Sequence, residues 1–506
     1  MQREQLSNTG LADRVSLAGP DGAILTCMPS GATKHLLREV MNDWALSISR
    51  LLPSDDTPSP IAISLPHGPH FLAAVIGTWA SGNAISPVSL RATPHEIQRL
   101  LRALRPLRII CETDDSRFEA VDSTLESVSR QRGIKVLATH QEGASLLKQG
   151  DAWLATTSGT TGEAKCAVLS ASAVLANCLN VRDYLEIAKT DRILIFTPPH
   201  FTYAVVQMLS TVLANATILA VPQGLLNPPS LTAFALECGM TGVSANPTSY
   251  EMWLPSISQQ RLPARYILCA GQPLRKRLFD NLMEAFPSAV QISGYGCTEN
   301  VNRISFAKIS SQGAFRNFIA TVGWPIPGTT VSIDSNTSEI VLRGSSLMEG
   351  YFADLSTGLG RINSYNTGDL GVLGQAGEIY LTGRITTRMN VGNEMIDPEE
   401  VEAAILLVPS ITECAVGPLP DDLLGDAIGA FIVVDDKSAS QKLKAQIRST
   451  LSGVLRRSRW PHHIDVVSSN DIPRTSYGKI ARKELKRRLE ERFGLTGDPK
   501  RKVTKL

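Results

Sequence analysis

Residues 61–88 read IAISLPHGPHFLAAVIGTWASGNAISPV, and this stretch sets the fold class of the chain. Two short apolar runs, residues 61–65 and 84–88, flank residues 71–79, whose apolar positions are typical of a helix. A second helical pattern at residues 94–104 leads into another apolar run at residues 107–111. Strands that alternate with helices in this way predict a parallel sheet covered by helices.

The alternation returns further along the chain, with strand-like runs at residues 193–196, 217–221, 242–245 and 266–269. After about residue 313, glycine-punctuated segments predict short antiparallel strands and a small β-barrel. From residue 385 onward, mixed strand and helix patterns predict a small α+β domain. We therefore predict an α/β protein with a large multi-subdomain body at residues 1–383, a hinge at residues 384–387 and a smaller, mobile C-terminal domain at residues 388–506.

The overall composition narrows the class of protein. The chain has 506 residues, of which 43% are hydrophobic, and 50 basic residues against 48 acidic ones leave a net charge of +2. This balance gives no reason to expect nucleic acid or an anionic membrane as a partner. The eight cysteines never form a C-x-x-C pair, which disfavours a zinc site or a redox dithiol.

Targeting signals are weak. The N-terminus lacks the apolar core of a signal peptide, and no run of eighteen apolar residues occurs. The last residues, Thr504-Lys505-Leu506, match a peroxisomal address poorly, and a chance match is the better interpretation. These features predict a cytoplasmic protein that does not bind membranes.

A hydroxyl- and glycine-rich loop lies between two apolar segments and consists of Thr156, Thr157, Ser158, Gly159, Thr160, Thr161, Gly162, Glu163, Ala164 and Lys165. Its hydroxyls and backbone N–H groups can donate to phosphate oxygens, its glycines allow close approach, and its lysine adds a positive charge. A Walker loop is excluded because Lys165 is followed by Cys166 rather than by serine or threonine. The loop predicts a nucleotide site, although such a run in isolation is more often a flexible surface loop.

Further motifs follow in a fixed order. They are GYGCTE at residues 294–299, YNTGDL at 365–370, GR at 383–384, NVGNEMIDPEEVE at 390–402 and PRTSYGKI at 473–480. Together with the loop, this ordered set resembles the class I adenylate-forming superfamily of AMP-dependent synthetases and ligases, which includes acyl- and aryl-CoA synthetases, stand-alone adenylation domains and luciferases. Residues 271–274 and 343–351 match the same family, so that the resemblance covers about residues 61–485.

The resemblance implies ATP-dependent activation of a carboxylic acid to an acyl-adenylate with release of pyrophosphate. The acyl group then passes to a thiol, and CoA is the leading acceptor. ATP, Mg²⁺ and CoA are the implied cofactors, and the implied enzyme class is an AMP-forming acid–thiol ligase. Two alternatives remain: a stand-alone adenylating enzyme that transfers the acyl group to an acyl carrier protein or an amine, and a non-catalytic protein that binds an adenylate.

The resemblance also implies residue roles. Tyr295 would stack on adenine, Thr298 would reach the α-phosphate and Glu299 would bind Mg²⁺. The complete set implied for nucleotide binding is Thr157, Ser158, Gly159, Thr160, Thr161, Gly162, Lys165, Gly271, Gln272, Pro273, Tyr295, Gly296, Cys297, Thr298, Asp369, Arg384 and Lys479.

Three of these residues, Asp369, Arg384 and Lys479, lie in the last third of the chain. Asp369 would accept hydrogen bonds from the ribose hydroxyls, and Arg384 would reach the ribose or a phosphate from the domain junction. Lys479, on the small domain, would stabilise the pentacoordinate phosphorus, and it carries the main catalytic role together with Thr298 and Glu299. Taken alone, Thr-Gly-Asp is a common turn, and Lys479 is one cation of a basic segment.

For the acid, the resemblance points to the segment around residues 198–204. Amino-acid-activating relatives have an aspartate where this chain has Thr202, which disfavours an α-amino acid. The predicted pocket is apolar and suited to an aryl or medium acyl acid, while ordinary core packing is the alternative for each residue. The substrate-binding residues are predicted to be His200, Phe201, Tyr203, Ala270 and Gly294.

The sequence departs from the family pattern at four positions. Ala164 stands where proline is common before the loop lysine, Asn393 replaces a glycine near the expected thiol path, and Thr386 and Thr387 replace a polar hinge residue. The basic segment at residues 479–492 has two interpretations, a solvated face or a binding site for CoA phosphates or an acidic carrier protein.

Overall fold

The structure is a computed structural model. It describes residues 6–16, 23–27, 33–54, 57–131, 133–139, 147–157, 165–221, 227–257, 260–310, 312–356, 361–392, 394–421, 424–435, 440–475 and 478–493. Most of the glycine-rich loop, Asn393 and the last residues of the chain lie outside this part.

An eight-stranded sheet occupies the first third of the chain, preceded by α1 (Asn8–Ser16), β1 (Ala23–Cys27), β2 (Thr33–Leu37) and α2 (Arg38–Ser49). Its elements are β3 (Pro60–Ser64), α3 (Pro69–Ala80), β4 (Ala84–Pro87), α4 (Pro94–Leu104), β5 (Arg108–Glu112), α5 (Arg117–Val121), β6 (Glu126–Gln131), β7 (Ile134–Ala138), β8 (Asp151–Thr157) and β9 (Lys165–Ser170). β3 and β4 are buried at every position, as continuous apolar runs in a covered parallel sheet should be. Helix α4 begins at a capping box in which Thr93 and Glu96 satisfy each other's backbone N–H groups.

A second, nine-stranded sheet follows. Its elements are α6 (Ala171–Tyr184), β10 (Arg192–Ile195), α7 (Thr202–Leu213), β11 (Thr217–Ala220), α8 (Pro228–Glu237), β12 (Gly242–Ala245), α9 (Pro247–Ile257), β13 (Tyr266–Ala270), α10 (Lys276–Ala285), β14 (Val290–Tyr295) and β15 (Ser305–Ile309). Strands β10 to β14 are parallel and β15 is antiparallel to β14. β1 and β2 extend the far edge of this sheet.

A smaller antiparallel unit comes next, in a segment that contains β16 (Phe315–Arg316), β17 (Ile319–Ala320), β18 (Trp324–Pro325), β19 (Thr329–Ile333), β20 (Glu339–Gly344), β21 (Gly350–Tyr351), α11 (Phe352–Ser356), β22 (Tyr365–Leu373) and β23 (Ile379–Arg384). Of these, β18 pairs with β15 and completes the nine-stranded sheet. Where the sequence predicted a small barrel, β19, β20, β22 and β23 form a four-stranded antiparallel sheet. β21 instead joins the eight-stranded sheet beside β9, which holds the two units together.

The C-terminal region contains β24 (Met389–Val391), β25 (Glu394–Ile396), α12 (Pro398–Ile405), β26 (Ile411–Asp421), β27 (Gly425–Val434), α13 (Ser440–Ser452), β28 (His463–Val466) and α14 (Arg482–Arg492). A five-stranded sheet packs against helices on both of its faces, and each face has its own apolar cluster. This is the α+β unit that the sequence predicted.

The two large sheets share one core. Helices α3, α6 and α7 lie between them, and their apolar side chains form a single cluster with residues from both sheets. Helices α8, α9 and α10 cover the far side of the nine-stranded sheet, and α4 and α5 cover the far side of the other. The predicted fold class, a helix-covered α/β body with a smaller C-terminal domain, is therefore confirmed. Among the described residues, no helix is long and apolar enough to cross a membrane.

Candidate active site between the two domains

The candidate site lies at the carboxyl ends of parallel strands β10, β12, β13 and β14. Ala270 ends β13 and pairs with Gly294 of β14, which places both predicted residues at this edge. Ligands of open α/β sheets bind outside the carboxyl ends of the strands. The predicted motif residues 294–299 continue directly from β14 into this space.

A tight turn follows β14 and presents Thr298 and Glu299. A Cβ atom on Gly296 would lie 1.2 Å from the Asn302 carbonyl oxygen, so only glycine allows the turn to close. Thr298 and Glu299 belong to a short 3₁₀ helix, and the Ile304 N–H returns to donate to the Tyr295 carbonyl oxygen at 2.9 Å. The turn is thus built by backbone contacts within the predicted motif.

Glu299 is linked to the end of the glycine-rich loop. Its side chain is 8% exposed and accepts a hydrogen bond from the Tyr351 hydroxyl at 2.9 Å. The Lys165 ammonium lies 4.9 Å from the centre of the Tyr351 ring, within the range of a cation–π contact. Tyr365 lies 3.2 Å from the Tyr351 hydroxyl, and burial followed by the charge of Glu299 raises the pKa of both tyrosines.

The loop begins at the end of β8 and returns at the start of β9. Thr157 and Lys165 are partners across these antiparallel strands. The remaining predicted phosphate-binding residues, Ser158, Gly159, Thr160, Thr161 and Gly162, lie outside the described residues, as does Ala164. Their roles remain predictions.

Asp369 lies at the centre of the nucleotide half of the site. It is 6% exposed, accepts from the Tyr295 hydroxyl at 2.7 Å and pairs with the Arg384 Nε at 2.6 Å. The negative charge of Asp369 is the main reason that the pKa of Arg384 is raised, and burial raises the pKa of Tyr295. Tyr295 itself packs among Ile304 and other apolar side chains, so its predicted stacking on adenine remains a prediction.

Lys479 reaches the same place from the C-terminal domain. Its backbone carbonyl accepts from the Thr475 N–H at 2.8 Å, and Gly478 has a φ of 75°. The side chain keeps solvent-exposed area, yet the surrounding protein removes enough hydration to lower the pKa of Lys479. The charge of Arg384 lowers that pKa further, and Asp369 opposes the shift. A Cβ atom on Gly478 would lie 3.3 Å from the Thr248 side chain, so the turn that carries Lys479 contacts the large body beside the Gln272 loop.

Contacts between the two domains support this arrangement. Arg275 of the large body donates to Glu402 of the small domain at 2.9 Å, and Glu402 is fully buried. Glu402 also accepts from Arg482 at 2.6 Å and from the Val416 N–H at 2.9 Å. A charge that is buried with several partners fixes geometry, since removing one partner leaves the others imperfectly paired.

The remaining predicted nucleotide contacts lie nearby. Gly271 adopts a φ of 84° directly after β13, and the Gln272 amide oxygen accepts from the Thr248 hydroxyl at 3.0 Å. Pro273 continues this loop. Cys297 caps the 3₁₀ helix that carries Thr298, and burial raises its pKa well above the usual range, so this thiol stays protonated.

The segment predicted to bind the acid leads into helix α7. The rings of His200 and Phe201 lie 4.3 Å apart, and burial lowers the pKa of His200 to about 4, so it is neutral near pH 7. The Thr202 hydroxyl is 3.5 Å from the Thr298 hydroxyl. Tyr203 is 8% exposed, and its hydroxyl oxygen lies 2.5 Å from the Ser244 hydroxyl oxygen.

Sequence reasoning missed Arg303, which lies beside this segment. Its side chain is 1% exposed, and the guanidinium carbon lies 3.9 Å from the centre of the Tyr203 ring. A single arginine in a loop is normally expected at the surface. Its position four residues after Glu299, just beyond the predicted motif at residues 294–299, was the one available signal.

The structure describes the residues of the predicted hinge and of the basic segment. Thr387 folds back on Arg384, whose carbonyl oxygen accepts from the Thr387 N–H at 3.1 Å, and Thr386 lies in the same turn. In α14, Arg487 and Arg488 pair with Glu484. Much of the basic segment is therefore neutralised within its own helix. Asn393 lies outside the described residues, so its effect on a thiol path remains untested.

The chain was compared with known proteins. The family model for AMP-binding enzymes matches residues 44–352, and the model for the AMP-binding enzyme C-terminal domain matches residues 400–479. Sulfoacetate–CoA ligase of Cupriavidus necator is 26% identical over 463 residues, which cover 84% of this chain and 86% of the relative. The 4-coumarate–CoA ligase 4 of Arabidopsis thaliana is 27% identical over 66% of this chain and 61% of the relative. Two further relatives are each covered over 64% of their length.

Solved structures show the same fold. The anthranilate CoA ligase AuaEII, solved in complex with anthranoyl-AMP, aligns with a TM-score of 0.78 and 18% identity. The alignment covers 96% of this chain and 97% of the other. Because the AMP-binding family model matches more than half of the 506 residues, the chain belongs to the family of AMP-binding enzymes.

Proposed function

We propose that this protein uses ATP to convert a carboxylic acid into an acyl-adenylate with release of pyrophosphate, and then transfers the acyl group to CoA. The observation that carries the proposal is the buried Asp369–Arg384 pair, with the Lys479 turn packed against the large body at Thr248 beside Gln272. Glu299, joined to Lys165 through Tyr351, lies in the same region of the large body. Together they offer anion-binding and cation-binding groups to one nucleotide.

In the first step, a carboxylate oxygen forms a bond to the α-phosphorus, and the bond from that phosphorus to the pyrophosphate oxygen breaks. Lys479 and Thr298 would neutralise and position the α-phosphoryl oxygens as charge shifts onto the leaving group. Positioning and electrostatic stabilisation supply most of the rate in phosphoryl chemistry. Lys165 and the adjoining glycine-rich loop would hold the β- and γ-phosphates.

Asp369 and Arg384 would bind the ribose, with the Tyr295 hydroxyl holding Asp369 in orientation. Gly271, Gln272, Pro273, Gly296 and Cys297 would line the nucleotide. These roles follow from the position of each residue around the strand ends and from the family to which the chain belongs.

The residues present fit a magnesium ion. Among the described residues, no cluster of three or more His, Cys, Asp or Glu side chains could hold a metal by itself. Mg²⁺ at phosphate sites usually takes one or two carboxylates and keeps water and phosphate oxygens as its other ligands. Glu299 would supply that carboxylate, oriented by the Tyr351 hydroxyl, and the ion would neutralise phosphate charge.

In the second step, a thiolate sulfur attacks the acyl carbon and AMP leaves. CoA is the acceptor that the relatives favour, since sulfoacetate–CoA ligase and 4-coumarate–CoA ligase 4 both carry it in their names. A carrier protein is the second candidate, because a neighbour of similar fold was solved as an adenylation domain joined to a peptidyl carrier protein with phenylalanyl-adenylate bound. We further propose that residues 388–506 rotate about residues 384–387 between the two steps.

The test is a pyrophosphate-release screen over aryl, acyl and amino acids with ATP and Mg²⁺, repeated with CoA, a carrier protein or an amine. We expect at least one acid to support release, and CoA to yield a thioester. Lys479→Ala should lower the rate of adenylate formation about 100-fold or more. Lys483→Ala, which removes an exposed lysine four residues along, should leave the rate unchanged. Equal rates in Lys479→Ala and the parent would remove Lys479 from the mechanism.

A further inference from the structure

The Arg303 guanidinium is buried without a hydrogen-bond partner among the described residues. None of its Nε, Nη1 and Nη2 atoms has a partner, although its backbone carbonyl accepts from the Asn177 amide at 2.9 Å. The ionisable groups that influence it are Tyr203, Cys178 and Tyr266, and none of these is a carboxylate. An unpaired charge in a protein interior costs several kcal/mol, so such groups normally have a counter-charge.

A strained turn directs this side chain inward. Val301 and Asn302 have φ angles of 52° and 81°, a left-handed conformation that is uncommon for a residue other than glycine and especially for valine. Strain of this kind destabilises the fold and clusters at functional sites. The turn reverses the chain between Glu299 and β15, and it leaves Arg303 beside the ring of Tyr203.

Arg303 lies deeper in the protein than its neighbour Asn302, which borders the predicted adenylation cleft. Asn302 donates from its side-chain amide to the Thr202 hydroxyl at 3.0 Å, and Thr202 lies against Thr298. The pairs Thr202–Tyr203 and Asn302–Arg303 therefore run side by side. Their first members contact each other at the cleft, and their second members contact each other in the interior. An acid activated beside Thr298 would extend past Thr202 toward the guanidinium.

Other buried hydrogen-bonding groups lie in the same region. Among the described residues, the Ser305 hydroxyl has no hydrogen-bond partner, and the side chains of Gln207, one turn of α7 after Tyr203, and Tyr266 have no partner beyond each other. Gln207 and Tyr266 lie close enough to influence each other, and burial raises the pKa of Tyr266 far above its usual range. These three side chains, like Arg303, can donate hydrogen bonds to an anion.

We propose that the acid activated by this protein carries a second carboxylate, and that Arg303 binds it. The inference rests on the proposed function and narrows its substrate class to dicarboxylic acids. A guanidinium matches a carboxylate through two parallel N–H donors, and the buried surroundings make the pair strong and selective. The pocket that the sequence predicted as wholly apolar thus has a charged inner end, with Gln207 and Tyr266 as further donors.

The first test compares matched acids with the unaltered protein. Pyrophosphate release is measured with butanoate against butanedioate, hexanoate against hexanedioate, and benzoate against benzene-1,3-dicarboxylate. A site built to pair a polar group rejects the analogue that lacks it. We expect kcat/KM for at least one diacid to exceed that of its monoacid by about 100-fold or more. Equal or better use of the monoacid in every pair overturns the inference and leaves the proposed function standing. No release with any acid overturns both.

The second test changes Arg303. Arg303→Met removes the charge and keeps much of the length, so the diacid should lose about 100-fold in kcat/KM while the matched monoacid is retained or improved. Arg303→Lys should retain part of the diacid preference. ATP binding, measured by calorimetry, should not change in either variant.

The control is Lys308→Met, which removes an exposed cation from β15, the strand that follows Arg303. It should leave acid selectivity unchanged. If Arg303→Met folds, binds ATP and loses both acids equally, Arg303 has only a structural role. If it does not fold, the matched acids with the unaltered protein decide the question.

Discussion

The nucleotide half and the acid half of the cleft treat charge in opposite ways. In the nucleotide half, Asp369 already has the Tyr295 hydroxyl and Arg384 as partners, and Glu299 has the Tyr351 hydroxyl. In the acid half, the Arg303 side chain is 1% exposed, and its guanidinium has no hydrogen-bond partner within the described part of the chain. Paired charged groups are held in one geometry before a ligand binds. An unpaired buried charge is neutralised only when the ligand supplies the opposite charge.

The difference teaches where specificity should lie. Every acid would be activated with the same nucleotide, so the nucleotide site gains from rigid side chains that form hydrogen bonds and ion pairs with one another. The acid distinguishes one ligase from another, and a single buried group there can reject every acid that leaves it unpaired. Substitutions in the first half should therefore lower the rate for all acids, and substitutions in the second half should change which acid is used.

The largest effect in the nucleotide half is expected at Glu299. Glu299→Gln keeps an acceptor for the Tyr351 hydroxyl but removes the negative charge, and adenylation should fall about 100-fold or more for every acid. The Mg²⁺ concentration needed for half-maximal rate should rise in parallel. Tyr351→Phe, which removes only the orienting hydroxyl, should cost about 10-fold. The assignment fails if the Mg²⁺ dependence of Glu299→Gln matches that of the parent protein.

A smaller effect is expected at the domain contact. Arg275→Gln removes the link from the large body to Glu402 while leaving Arg482 in place. We expect adenylation to slow several-fold, because the orientation that brings Lys479 to the site loses one anchor, roughly 1–2 kcal/mol for a charged hydrogen bond. Thioester formation from preformed adenylate should not slow. Lys276→Gln, which removes the neighbouring cation that pairs within the large body to Asp280, is the matched control.

The smallest effect is a shift in pH dependence. Lys479 acts as a cation, and its pKa is lowered by burial and by the charge of Arg384. Activity should therefore be complete at pH values below this lowered pKa and be lost as pH rises through it, earlier than for an ordinary lysine near pH 10.4. In Lys479→Arg, whose side chain stays charged, the remaining activity should keep no such alkaline decline. An unchanged alkaline limb in that variant would assign the titration to another group.

Much of the fold could be predicted because local signals agree with it. Helix α4 has the predicted bounds, Pro94–Leu104, since Thr93 and Glu96 form a capping box at its start and its apolar positions follow a helical period. The motif residues predicted for nucleotide binding were found through their resemblance to a family whose motifs keep particular side chains in a fixed order, and their roles remain predictions. Four of them, Tyr295, Glu299, Asp369 and Arg384, meet around one cleft together with Lys479.

Other features depend on contacts between distant residues and left no local pattern. The first helix, α1, was not predicted, and its place is fixed by the Asn8 side chain, which donates to the Asp151 carbonyl oxygen at 2.9 Å. The inward course of Arg303 depends on the left-handed backbone at Val301 and Asn302, which neither residue type indicates. No local sequence pattern therefore indicates the polar inner end that we propose for the acid pocket.

The most direct measurement is ATP–pyrophosphate exchange in the unaltered protein, with Mg²⁺ present and CoA absent. Exchange reports reversible formation of the acyl-adenylate before any acceptor is involved. We expect exchange that depends on a carboxylic acid, proceeds without CoA and is fastest with a diacid. Exchange with no carboxylic acid, or only when CoA is present, would contradict this expectation.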